Sequence, residues 1–117
     1  MARKISGLRR KIKATASATT HTAETTRVKT GETWFIDLIA LRNQTRANSD
    51  VIVSVQNHGY DHVIGQSLNL SDNVWTTIDR ETRLFEGEYL KFAWADVVSG
   101  DVLDMHITGH KHYREEK

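Results

Sequence analysis

The stretch that decides the fold is LFEGEYLKFAWADVVSGDVLDMHITG, residues 84–109. Apolar residues alternate there with polar or small ones in two runs, Leu90, Phe92 and Trp94, then Leu103, Met105 and Ile107. Alternation of this kind is typical of strands that bury one face. The turn residues Ser99-Gly100-Asp101 separate the two runs. The stretch therefore predicts two strands of an antiparallel sheet or sandwich.

Strand signals continue back to residue 30. Further runs at residues 34–41, 51–56, 62–70 and 74–78 read as strands. The first run is apolar on both alternating faces except at Asp37, which predicts a central strand covered on both sides. In the third run, Leu68 and Leu70 are expected to face the core, after a turn at residues 58–61.

Turn signals recur every eight to twelve residues in this part of the chain, and no run there shows convincing helical periodicity. This pattern predicts an all-β fold, either a single antiparallel β-sandwich of jelly-roll-like form or a small barrel. The chain contains no proline. Glycine and Asx residues must therefore form the turns.

Charge is distributed unevenly along the chain. Residues 1–29 hold eight basic residues against one acid, a net charge of +7, whereas residues 30–117 carry eight bases against 14 acids, a net charge of −6. We therefore divide the chain into a basic N-terminal arm (1–29), a β-sandwich domain (30–110) and a polar tail (111–117). A cationic arm on an acidic body indicates a protein that lies against either nucleic acid or a negatively charged neighbouring protein.

The arm has two parts with different patterns. Ile5, Leu8 and Ile12 follow spacings of three and four, which predicts a short amphipathic helix over residues 3–13. A helix this short is marginal in water, so we expect it to order only on a partner. Residues 14–26 are rich in threonine, alanine and serine and predict an extended linker or an edge strand.

We predict that the arm binds its partner through its basic and apolar side chains. This partner-binding set comprises Arg3, Lys4, Ile5, Leu8, Arg9, Arg10, Lys11, Ile12, Lys13, Arg27 and Lys29.

Targeting and membrane segments are largely excluded. The residues after Lys13 are not apolar, which argues against a secretory signal, whereas the Arg- and Ser/Thr-rich, acid-free residues 1–22 leave a transit peptide open. The longest mostly apolar run, residues 34–41, is too short to span a bilayer. No cysteine is present, which excludes disulfides and thiolate metal sites.

No catalytic constellation is evident. The chain lacks GxSxG, GxxxxGK[ST] and GxGxxG motifs, and no spacing singles out a pair of carboxylates. His106, His110 and His112 would share one side of a strand, but Gly109 is expected to break that strand, so we interpret them as exposed turn and tail histidines. The prediction is a non-enzymatic protein with no metal and no cofactor.

Four segments carry a resemblance to a known class of proteins: VKTGETW (28–34), VIVSV (51–55), LFEGEYL (84–90) and the ending that runs from GDVL to ITG (100–109). Together they resemble the small β-sandwich virion proteins of tailed bacteriophages. The resemblance implies a structural role on a capsid, neck or tail, in repeated copies and without enzymatic activity. It identifies no functional residues. The chain departs from the class after Gly109, where HKH replaces the usual early acid.

Three functions are compatible with these patterns. The leading prediction is a bacteriophage virion protein that decorates or cements the capsid, binding the major capsid protein or other virion proteins and forming a homo-oligomer, with a neck or tail ring or head-tail connector as the alternative. A second is a nucleic-acid-binding module that uses the basic arm. A third is a carbohydrate-binding or hydrolytic domain that uses Tyr60 or Trp75, aromatic residues whose polar surroundings allow exposure.

Overall fold

The computed structural model of the chain describes residues 3–57 and 60–114. These residues form nine strands: β1 (Arg3–Thr15), β2 (Thr20–Glu24), β3 (Glu32–Asn43), β4 (Asp50–Asn57), β5 (Tyr60–Ser67), β6 (Thr76–Ile78), β7 (Thr82–Leu84), β8 (Tyr89–Ala95) and β9 (Val102–Arg114). None of the described residues belongs to a helix long and apolar enough to cross a membrane.

The strands form two antiparallel sheets. Sheet 1 has the order β1-β9-β3-β6, and β7 also pairs with β3; sheet 2 has the order β2-β8-β4-β5. Because β5 contacts β6, these two strands and β7 lie on one side of the sandwich. The edge strands β1 and β2 therefore lie on the opposite side. The prediction of an all-β antiparallel sandwich is confirmed.

The core lies between the two sheets and is built by alternation. Leu90, Phe92 and Trp94 of β8 and Leu103, Met105 and Ile107 of β9 are each no more than 1% exposed. Each such side chain stabilises the fold by about 1.5–3 kcal/mol relative to the exposed state. The period-two pattern of residues 84–109 was therefore a sufficient guide to this part of the core.

Strand β3 is interrupted by a β-bulge at Asp37. Its pairing with β9 shifts register between Ile36 and Leu38, so Trp34 and Ile36 face the core before the bulge, and Ile39 and Leu41 after it. An extra residue in a strand moves the following side chains to the other face. The prediction of a strand covered on both sides was wrong, because the change of phase at the bulge made both faces look apolar.

Gly109 does not break β9. A β-carbon there would overlap the carbonyl oxygen of Phe35 on β3, close to the bulge. Glycine therefore allows the two backbones to approach, and β9 continues to Arg114. Residues 110–114 were predicted to lie at the domain end and in a polar tail, but they are strand residues paired with β1 and β3.

The N-terminal segment is part of the sandwich. Strand β1 pairs with β9 along all 13 of its residues, and β2 pairs with β8. Leu8 is 2% exposed and belongs to the core, as do Ala16 and Val28. The prediction of a helix over residues 3–13 and of a free basic arm was wrong, because the long edge of β9 offers these residues a partner within the same chain.

The spacing of the apolar residues explains the error. Leu8 and Ile12 are four apart, a separation that fits the period of a helix and of a strand equally well. Only Ile5, three residues before Leu8, distinguishes the two. It lies on the opposite face of β1 and is 65% exposed.

Turns are formed by glycine and Asx residues, as predicted from the absence of proline. In the described part of the chain, positive φ angles occur at Gly31, Asn48, Asn69, Asn73, Gly87, Asp96 and Gly100. Two smaller expectations differ from the structure. Leu70 is 2% exposed as predicted, but Leu68 is 60% exposed because β5 ends at Ser67. The predicted turn at residues 58–61 includes His58 and Gly59, which lie outside the described residues.

Gly109→Ala should lower the free energy of unfolding by about 3 kcal/mol or more, because the backbones of β3 and β9 must move apart to accept the methyl group. Urea denaturation measures the change. Gly7→Ala on the neighbouring strand is the matched control. A β-carbon at Gly7 meets no atom, so a change within about 1 kcal/mol is expected. Equal losses in both variants would contradict the close approach at Gly109.

Leu8→Ala should cost about 2–4 kcal/mol in the free energy of unfolding, because the side chain is buried in the core. Ile5→Ala, on the exposed face of the same strand, should cost less than about 0.5 kcal/mol. Urea denaturation of both variants provides the comparison. A Leu8 variant as stable as the wild type would show that β1 does not belong to the folded sandwich.

Candidate interaction surfaces

Strand β1 is an edge strand with a high positive charge. It pairs only with β9 in the described part of the chain, so the other edge of residues 5–15 pairs with none of the described strands. Its 13 residues include six bases and no acid. An exposed edge strand can pair with another chain, and charged side chains restrict which partners it accepts. The edge of β1 is the first candidate surface.

Because side chains alternate along β1, the members of the predicted partner-binding set that lie on this strand are divided between its two faces. Leu8 is buried, Ile12 is half-buried against the core, and the Arg10 guanidinium lies 5.2 Å from the centre of the Trp34 ring. The exposed side chains on the opposite face are Ile5, Arg9, Lys11 and Lys13. Helical spacing alone did not indicate this division, whereas a period of two would have done so.

The remaining members of the set lie around this strand and at the start of β3. Arg3 and Lys4 form the beginning of β1, and the Lys4 side chain is exposed. Arg27 donates a hydrogen bond of 2.9 Å to the Gly87 carbonyl oxygen, and its guanidinium lies 4.7 Å from the centre of the Tyr89 ring. Lys29 is exposed before β3. Arg27 therefore supports the fold in addition to carrying charge.

The side of the sandwich opposite β1 is built from an acidic stretch. Residues 60–90 contain six acids and two bases, a net charge of −4. They supply β5, β6 and β7, and Asp61, Asp79 and Glu81 are exposed on or between these strands. We call this the acidic side. The sandwich therefore carries charges of opposite sign on its two sides.

The outer face of sheet 1 points away from the core and is the second candidate surface. Its basic residues are Arg9, Lys11, Lys13, Arg42 and Arg83. The same face carries the rings of His106, His110, His112, Phe35 and Trp75. Its two acids are Asp37 and Asp104. The five bases against two acids give a net charge of +3.

One end of this face is organised by Arg42. Its Nε and Nη2 donate hydrogen bonds of 3.0 and 2.8 Å to Asp104 Oδ2, and its guanidinium lies 4.3 Å from the centre of the Trp75 ring. Burial raises the pKa of Asp104. Hydrogen bonds from Gln44 and Arg42 and the charges of Arg42 and Lys13 lower it by more, so the net shift is downward. The carboxylate is held in its charged form.

His106 lies beside this group, with its ring 4.5 Å from that of Trp75. Burial lowers the pKa of His106, and the positive charges of Lys11 and Arg42 lower it further, while Asp104 opposes them. The pKa is therefore below the usual 6.5. Sequence reasoning missed this grouping, because it depends on the register that places Lys11 opposite His106.

His110 and His112 lie at the other end of the face. Both rings contact Phe35, at centroid distances of 4.9 and 4.5 Å, and His110 Nδ1 lies 4.0 Å from Asp37 Oδ2. Asp37 is exposed at the bulge, so its carboxylate needs no buried partner. Within residues 3–57 and 60–114 no three histidine or acidic side chains form a group that could hold a metal ion.

A buried polar cluster ties the loop after β3 to the turn before β9. Asp101 is fully buried; its Oδ1 and Oδ2 accept hydrogen bonds of 2.7 and 2.9 Å from Arg46 Nε, and Oδ2 also accepts one from the Val98 amide. Asn43 Nδ2 donates to the Ser49 hydroxyl and to Asp101 Oδ2, each at 3.2 Å. Each of these hydrogen bonds satisfies a buried polar group, so the cluster has a structural role.

Comparison with known proteins identifies no family. No family model and no curated protein sequence matches the chain. Among solved structures, the chain is similar to one in the structure of infectious bursal disease virus, Gx strain, with a TM-score of 0.54 and 5% sequence identity. That match covers 95% of this chain and 31% of the virus chain, so it shows a similar fold within a much longer protein.

A second match is the core of Drosophila NLP, whose crystal structure provides insight into pentamer formation and histone binding. The TM-score is 0.47 and the sequence identity 13%, and the match covers 88% of this chain and 97% of that one.

The buried Asp101 should make stability depend on pH. Burial raises its pKa, but the Val98 amide, Arg46 and Asn43 lower it more, so the folded pKa lies below the usual 3.8. The unfolded chain then takes up the proton first as pH falls. This contribution to stability is therefore complete above about pH 5 and is lost progressively as the pH falls through the lowered pKa of the folded state.

Asp101→Asn should reduce the free energy of unfolding by about 2 kcal/mol at pH 7, because hydrogen bonds to a charged group are lost. The difference from the wild type should shrink between pH 5 and about pH 3 in urea titrations. Asp79→Asn, at an exposed carboxylate, is the control and should match the wild type at each pH. A difference that grows on acidification would contradict the lowered pKa.

Proposed function

We propose that this chain is a non-enzymatic structural protein of a bacteriophage virion, which decorates or cements the capsid in repeated copies. The observation that carries the proposal is the placement of a basic edge strand on one side of the sandwich and an acidic side opposite it. Copies of such a molecule can associate in one direction, with β1 of one copy against the acidic side of the next.

The charges of β1 determine which contacts between copies of the protein are attractive. Six bases on each strand would repel one another if two copies paired β1 to β1, so a two-fold dimer through this edge is disfavoured. Pairing with the acidic side has the opposite sign and is attractive. Contacts of this head-to-tail kind produce closed rings or filaments rather than dimers. The same edge would accept another acidic virion protein, such as the major capsid protein.

The ordered state of β1 also favours this function. Because β1 is already paired with β9 and anchored by Leu8, it loses little further backbone entropy when it docks. A preordered edge therefore binds more tightly than a free arm with the same contacts. Many weak contacts of this kind, repeated around a particle, add up to strong attachment.

The fold and the sequence resemblance support a virion role from different directions. The sandwich is similar in fold to part of a chain in a virus structure, at 5% identity. The turn-and-strand motifs at residues 28–34 and 84–90 resemble those of small phage virion proteins. A ring of the neck or tail is the second candidate, because head-to-tail contacts close readily into rings.

A charge-swap experiment tests the head-to-tail contact. Asp79→Lys with Glu81→Lys reverses the acidic side, and Lys11→Glu with Lys13→Glu reverses the basic strand; all four side chains are exposed. Each double variant alone should self-associate about 10-fold more weakly than the wild type, since like charges are brought together. An equimolar mixture of the two variants should recover association, because every contact again joins opposite charges.

Light scattering coupled to size-exclusion chromatography measures these states, after nuclease treatment of the samples. Lys91→Glu, a charge reversal on β8 of sheet 2 and away from β1, is the control and should behave as the wild type. A wild type that is monomeric at all concentrations, or a mixture that does not recover, would refute the contact. In particles purified from a virus-producing culture, mass spectrometry should find the wild-type chain in many copies and the acidic-side variant depleted; absence of the chain from particles would refute the virion role.

A further inference from the structure

The outer face of sheet 1 carries a regular row of exposed cations. Arg9, Lys11 and Lys13 occupy alternate positions of β1 and are all exposed. Alternate residues of a strand are about 7 Å apart, so the row presents about one positive charge every 7 Å along a straight line. This surface is distinct from the edge of β1, because the face points out of the sheet and the edge lies in its plane.

The neighbouring strands do not neutralise the row. Thr108, His106 and Asp104 of β9 lie opposite Arg9, Lys11 and Lys13. Asp104 is the acid among them. It interacts with Lys13, but Arg42 donates two hydrogen bonds to its Oδ2 and offsets its charge. The positive field is felt by His106, whose pKa is lowered first by burial and then by Lys11 and Arg42. The face therefore retains a positive potential beyond β1 itself.

Two aromatic rings on this face each pack against the guanidinium group of an arginine. The guanidinium of Arg42 lies 4.3 Å from the centre of the Trp75 ring, and that of Arg83 lies 4.8 Å from the centre of the Phe35 ring. Such contacts fix the direction of a guanidinium group. They also occupy positions above the rings that a stacked base would need. The arrangement favours contact with phosphates over recognition of bases.

We propose that the outer face of sheet 1 binds the phosphodiester backbone of nucleic acid without reading its sequence. Arg9, Lys11 and Lys13 supply the row of phosphate contacts, and Arg83 extends the cationic surface past β3. A flat row of evenly spaced cations suits a regular polyanion better than the isolated carboxylates of a folded protein. The proposal does not depend on the virion role. Lys11 and Lys13 also carry charge in the proposed head-to-tail contact, so DNA affinity and self-association are measured separately to distinguish the two.

Fluorescence anisotropy with labelled 30-nucleotide strands of dT and of dA tests the proposal over a series of salt concentrations. The wild type should bind both strands with affinities within a few-fold of each other, and the affinity should fall steeply with salt. Lys11→Gln with Lys13→Gln should weaken binding roughly 10-fold or more at 0.1 M salt. The slope of log K against log salt should decrease in magnitude by about 1.4, because each lost contact with a single strand removes about 0.7.

The control is Lys91→Gln, which removes one positive charge from β8 of sheet 2, away from this face, and should change affinity less than about 3-fold. In the wild type, the pKa of His106, followed by NMR, should rise when the oligonucleotide binds, because phosphate charge offsets Lys11 and Arg42. A loss of affinity in the control as large as that in the Lys11 and Lys13 double variant, or no binding at low salt, would overturn the proposal. So would a weakening of self-association by Lys11→Gln with Lys13→Gln that leaves DNA affinity intact, because the face would then serve a protein contact.

Discussion

The pairing of β9 with β1 on one side and β3 on the other is the interaction on which the rest of the structure depends. It depends in turn on a missing side chain at Gly109, where the β3 backbone passes too close for a β-carbon. Because β9 remains continuous past this point, it offers β1 a partner along its full length. The cationic segment is thereby fixed as an edge of the sandwich.

Because this cationic edge is fixed in the fold, the two sides of the molecule differ in charge. Six bases lie on the strand at one side, and the stretch from residue 60 to residue 90 places a net charge of −4 at the other. Neither the core nor the turns require this separation, since apolar side chains form the core and glycine and Asx residues form the turns. The separation instead favours the proposed head-to-tail contact, because opposite charges would face each other there.

The same strand offers two chemically different surfaces. Its backbone edge presents hydrogen-bonding groups in the plane of the sheet, and its odd-numbered side chains present cations above it. A protein contact at the edge and a nucleic-acid contact on the face can therefore coexist.

Much of the fold could be predicted from the sequence because burial and alternation coincide there. The core residues of β8 and β9, the valines of β4 and the proline-free turns follow directly from period-two patterns and turn chemistry. Strand β1 could not be assigned in this way, since the spacing of Leu8 and Ile12 fits a helix as well as a strand.

The candidate surfaces were predictable only in part. The distribution of charge along the sequence located the basic residues, but it assigned the acids only to residues 30–117 as a whole. The division of β1 into a buried and an exposed face required its pairing with β9, and the contact of Arg42 with Trp75 required a register that no local pattern specifies. The bulge at Asp37 also could not be predicted from the sequence, because its effect on side-chain direction appears only when the partner strand is known.

The turns have a consequence for how the chain folds. Since asparagine, aspartate and glycine form them and no proline is present, the unfolded chain has no slow interconversion between cis and trans prolyl bonds. The distant partners β1 and β9 must still meet, which makes folding slow relative to helical proteins of this size. Refolding should nevertheless proceed without the minute-long phases that prolyl isomerases accelerate, so copies can be produced rapidly without that class of folding catalyst.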